Sequence, residues 1–163
     1  LALFSLKVVI FEKIKPLMHS FILVLHSLNR FILLALLLTV IVRAFMGMQN
    51  KSAFASSDNK LSLFLFISTH TQLLLGLILY FVSPAVIFSS ESMSNRGARY
   101  WLVEHLLGML VAVVLITMAR ITMKKLTDDT AKHKRMFSFN TIALVIIIAM
   151  ILQSQRGFFG ISW

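Results

Sequence analysis

The chain has 163 residues, of which 58% are hydrophobic and only 13% charged, and its mean hydropathy is +0.88. A water-soluble domain of this size cannot hide that much apolar surface, so lipid is the expected solvent for most of it. With no cysteine, disulfides, thiolate metal sites, covalent haem attachment and a cysteine nucleophile are all excluded.

Taken from the start, residues 1–16 interleave Leu3, Phe4, Leu6, Val8 and Phe11 with Lys7, Glu12, Lys13 and Lys15, and Pro16 then breaks the pattern. They read as an interfacial amphipathic helix, with a remnant of a targeting segment as the alternative. Because the chain opens on Leu1, its true start is expected upstream.

Residues 17–163 read as one domain with four apolar runs, at about 18–46, 61–82, 99–121 and 137–152. Each qualifies or nearly qualifies against the roughly 20 apolar residues that a spanning helix needs. Ser/Asn/Lys-rich gaps separate them. Continuous Leu/Ile/Val/Phe runs lack the period-two alternation of a membrane barrel. The expected fold is therefore all-α, an antiparallel four-helix bundle in the membrane.

Lysine and arginine counts set the expected orientation. The first and third connections carry Arg43, Lys51, Lys60, Arg120, Lys124, Lys125, Lys132, Lys134 and Arg135. The opposite side has Lys7, Lys13, Lys15, Arg96, Arg99 and Arg156, which places both termini outside the cytoplasm. The run Lys132-His133-Lys134-Arg135 reads as a solvated anchor for anionic headgroups. Charge at span ends accounts for the formal +10, so no nucleic-acid partner is expected.

Chemistry concentrates on three histidines, His26, His70 and His105, each in a different span. Ionisable groups in hydrocarbon cost about 2.5 to 3.5 kcal/mol when charged, so each needs a partner or a task, and neutral imidazole is a common ligand for haem iron and other metals. At about 1.5 Å per residue, His105 lies roughly 9 Å beyond Arg99, and His26 lies equally deep from the same side. His70 enters from the opposite side. Two axial ligands need one depth, which selects His26 with His105.

The surrounding residues extend that pair. Arg30 follows His26 by one turn, on the same helical face. Arg30 and Arg43 are too close together to lie on either side of a roughly 30 Å hydrocarbon layer. One of the two therefore snorkels, meets a propionate, for which Arg30 is the candidate, or pairs with Glu104. Arg99 is a second propionate candidate. Glu104 points about 100° away from His105 and reads as a supporting acid, and Met109 either packs or acts as a soft ligand. The cluster Ser68-Thr69-His70-Thr71-Gln72, followed by Gly76, has two readings. One is hydrogen bonding between helices. The other gives His70 a direct role, as alternative ligand, proton relay or part of a quinone site.

The segments Leu25-His26-Ser27-Leu28-Asn29-Arg30, His70 to Phe81 and Arg99-Tyr100-Trp101-Leu102-Val103-Glu104-His105 resemble small bacterial four-span proteins usually labelled cytochrome B. The likeness runs from about residue 20 to the end, and it implies haem b and a bacterial inner membrane. A more distant similarity is to one half of haem A synthase, through His26 with Arg30, Gln72 with Leu75-Gly76, and His105. The chain departs from that pattern because His26 and Arg30 do not adjoin and only one four-helix unit is present.

The expected function is single-electron transfer through one haem b, linked to quinone and the respiratory machinery. A haem-free accessory subunit of a larger respiratory membrane complex is the alternative, with Arg156 to Trp163 as an interfacial anchor or docking tail. A copper or other metal site from His70, His105 and Met109 is the third reading.

Overall fold

The structure is a computed structural model that describes residues 2–154, with side chains from Ile14 onward. Four helices are long and apolar enough to cross a membrane. The first runs Ala2–Gln49 and the second Ser56–Val82. The third spans Arg96–Met123 and the fourth Asp129–Gln153.

The first helix does not break where the sequence suggested. It continues through Pro16 for 48 residues. Proline lacks an N–H, so one intrahelical bond is lost there; the turns on either side stay helical, and Ser20 Oγ donates to the Pro16 carbonyl (3.0 Å). The helix ends at Gln49, and Lys51 just beyond it takes a left-handed capping conformation with a φ of 48°. Asn50 N–H closes on Met46 O and Ser52 N–H on Gly47 O.

The fourth helix begins earlier than its apolar run. Asp128 caps it by accepting from Ala131 N–H (2.6 Å), and the basic run falls within its first two turns. Lys132 pairs with Asp129 (2.6 Å), and the Arg135 guanidinium lies 5.3 Å from the Phe139 ring. His133 is not solvated as expected: it is 2% exposed, packed on Gly47 of the first helix and 5.0 Å from the Phe54 ring. A helix faces two ways, and this residue is on the inward face.

First and second, third and fourth, and first and fourth helices pack closely, second and third less so, and first with third hardly at all. The first and third helices are therefore diagonal across the bundle. The core is built from Leu33, Leu37, Ala44, Leu65, Ala112, Ala119, Ala143 and Ile147. Small side chains let the backbones approach, as helix contacts in lipid require. Polar Ser27, Ser62, Thr69 and Asn140 are also buried, while Ile32, Phe64, Leu74, Val114 and Val145 are exposed. Polar groups inward and large apolar groups outward is the partition expected when lipid surrounds the bundle.

The arginine pair resolves by pairing at one end. Arg43 Nε donates to Asp58 Oδ1 (2.7 Å), and Asp58 Oδ2 accepts from Ala55 N–H (3.0 Å), so one carboxylate holds both the first helix and the start of the second.

Candidate functional site

Inside the bundle lies a cavity of about 180 Å³ lined by all four helices. His26 and Arg30 reach it from the first helix, Gln72, Gly76 and Tyr80 from the second, Tyr100, Trp101, His105 and Met109 from the third, and Ile147 and Ile151 from the fourth. Ser83, Ala85 and Val86, in the connection after the second helix, line the cavity there.

A polar clamp between the first two helices positions His26. Gln72 Nε2 donates to the His26 carbonyl (3.0 Å), and Asn29 Nδ2 donates to the Ser68 carbonyl (2.9 Å) and to Gln72 Oε1 (2.7 Å). Ser68 Oγ donates back to Asn29 Oδ1 (3.1 Å). Helix-to-helix hydrogen bonding is thus what Ser68 and Gln72 do. Gly76, one turn beyond Gln72, leaves room for the ring: a Cβ there would lie 3.5 Å from His26 Nε2.

His105 is positioned by a departure from α geometry. Residues Tyr100–Glu104 form a π turn, in which the His105 N–H bonds the Tyr100 carbonyl. On a regular α-helix, residues five apart point about 140° from each other; a turn closed by an i to i+5 bond brings them onto one face. The Tyr100 hydroxyl accordingly lies 3.2 Å from His105 Nδ1 and also donates to the Met150 carbonyl (2.5 Å) of the fourth helix. Tyr80 of the second helix donates to the Leu102 carbonyl within the same turn (3.1 Å). The Trp101 ring stands 5.3 Å from the imidazole.

The other predicted residues divide. Arg30 lines the cavity, whereas Arg99 does not: Arg99 Nε donates to Glu104 Oε1 (2.7 Å). Gln153 donates to the second Glu104 oxygen, so that acid takes Arg99 and Gln153, not Arg30. Glu104 ties the third helix to the fourth beside the site. His70 is also outside the cavity lining. Its Nδ1 donates to the Phe66 carbonyl (2.8 Å) and its ring lies 4.1 Å from that of Phe66. His70 is thus separated from the cavity that His105 and Met109 share. Among the described residues no three His, Cys, Asp or Glu side chains converge as a metal site would require. The tail Arg156 to Trp163 lies outside the described residues.

Sequence reasoning missed Tyr80 and Tyr100 as parts of the site. Their spacing carries no signal, because Tyr100 meets His105 only through the π turn, and Tyr80 depends on the pairing of two helices. Apolar walls with a few convergent polar groups are what a buried cofactor or lipid-soluble ligand needs. Two imidazoles and a guanidinium suit an anionic, metal-bearing ligand. No family model, curated protein or solved structure matches this chain.

Proposed function

We propose that the chain binds one haem b non-covalently between His26 and His105 and passes single electrons within a membrane. The observation that carries this reading is that imidazoles from two diagonal helices open on one cavity that also takes Arg30. The residues present fit the group: two nitrogen ligands, a cation for a propionate, and aromatic and aliphatic walls that exclude water. Bound haem would supply a one-electron iron couple.

The chain's own residues have separable tasks. Gln72 holds the first-helix backbone at His26, and Gly76 gives the ring its space. Tyr100 and Trp101 border His105. Arg30 is the propionate residue this reading favours, since it lines the cavity and Arg99 does not. His26 and His105 would both hold the group, which would suit a carrier rather than an oxygen-activating catalyst. The likeness to small bacterial four-span proteins supports placing the carrier in a bacterial inner membrane, exchanging electrons with quinone or with other subunits of a respiratory complex.

The test is optical. Protein purified from haem-replete cells should give b-type bands in a reduced-minus-oxidised spectrum, and His26→Ala and His105→Ala should each abolish them. Colourless, iron-free wild-type protein would overturn the reading and favour a haem-free accessory subunit.

A further inference from the structure

We propose that the cavity is loaded sideways, from the hydrocarbon of the membrane, through the seam between the second and third helices, with Leu77 as its gate. The ligand class that follows is one that dissolves in lipid before it binds.

The seam is tethered at two points. Tyr80 donates to the Leu102 carbonyl (3.1 Å), and at the other end Arg120 donates to Ser62 Oγ and to the Asn59 carbonyl (3.1 Å). Ser62 and Tyr80 are eighteen residues apart, and so are Leu102 and Arg120. The antiparallel helices therefore keep one register over about 27 Å. In that register Leu73 is level with Met109, Gly76 with Leu106 and Leu77 with His105, and all six line the cavity. These two helices also pack less closely than the other neighbouring pairs.

The cavity wall differs around its circumference. Leu33 and Leu34 of the first helix and Ile147 and Ile151 of the fourth line it and are buried. Asn29, Ser68 and Gln72 lock the first helix to the second. Leu77 lines the cavity too, yet it is 37% exposed. One leucine side chain thus stands between the ligand space and lipid, and Gly76 beside it brings no side chain to fill the seam. A leucine can change rotamer without moving the backbone. Leu73, Leu106 and Met109 make the rest of the seam apolar, a path that suits a molecule arriving from hydrocarbon.

The route itself rests on no haem, and only the uptake rates depend on the proposed function. Met109→Cys puts one thiol at the seam of a chain that has no cysteine. In liposomes a bilayer-soluble maleimide should label it, a sulfonated maleimide confined to water should not, and adding Leu77→Trp should slow the labelling about ten-fold. Equal labelling from water, or a rate blind to residue 77, would overturn the inference. Haemin added to liposomes holding haem-free protein gives the second readout. Leu77→Ala should speed both uptake and release about ten-fold and Leu77→Trp should slow both, with Kd little changed, as a gate requires. Rates unchanged in both variants, or a change confined to Kd, would overturn the gate. Wild-type protein that takes up no haemin defeats the haem reading and leaves the labelling to decide this one.

Discussion

Arg120 shows how a single residue changes meaning between chain and fold. Counted as a cytoplasmic-side charge, it is in fact 7% exposed, donating to the Asn59 carbonyl (3.1 Å) and to Ser62 Oγ at the start of the second helix. It joins the two neighbouring helices that otherwise pack least closely. Arg120→Met keeps the volume but strips both acceptors of their donor, and should cost about 1 to 2 kcal/mol in an SDS-unfolding titration. A cost indistinguishable from that of Lys134→Met, at an exposed position, would show that the guanidinium holds nothing. Gly76 offers the complementary test at the cavity. A Cβ 3.5 Å from His26 Nε2 is ordinary contact, so Gly76→Ala should keep the b-type spectrum. Gly76→Leu fills the space of the ring and should lose that spectrum while far-UV helicity is retained.

At the scale of elements, the helices are held at two ends by different means. Near the clamp, Asn29, Ser68 and Gln72 join first and second helices by hydrogen bonds that lipid cannot replace. At the other end, Gly47 lets the first helix seat the His133 ring of the fourth. A Cβ at Gly47 would strike that flat, rigid ring, whereas one at Gly108 would meet only the flexible end of Met150. Gly47→Ala should therefore destabilise the bundle by about 1 to 3 kcal/mol, measured by SDS titration, and Gly108→Ala should cost less. Equal costs would show that ring rigidity does not matter there. The third helix has a different specialisation, because its π turn spends regular geometry to turn Tyr100 toward His105.

For the whole molecule, four helices in sequence with close neighbours make an antiparallel bundle whose successive connections alternate sides. Reporters fused in the Lys124–Asp128 connection and after Gln153 should report opposite faces of the membrane; signals from one face would overturn the four-span topology. Helix number and lipid exposure were legible in the chain because long apolar runs leave water by composition alone. Rise per residue led to the expectation that His26 and His105 lie at one level, and both line one cavity. Other expectations depended on which way a side chain turns. His133 sits within a basic run yet faces inward, Arg99 takes Glu104, and His70 hydrogen-bonds its own helix. Sequence by itself determined the number of long apolar helices and the class of fold, both of which follow from hydropathy and length. Only the tertiary structure decided which helices are diagonal, where the π turn falls and which polar group each donor meets, because those depend on rotation and packing that a linear spacing does not encode.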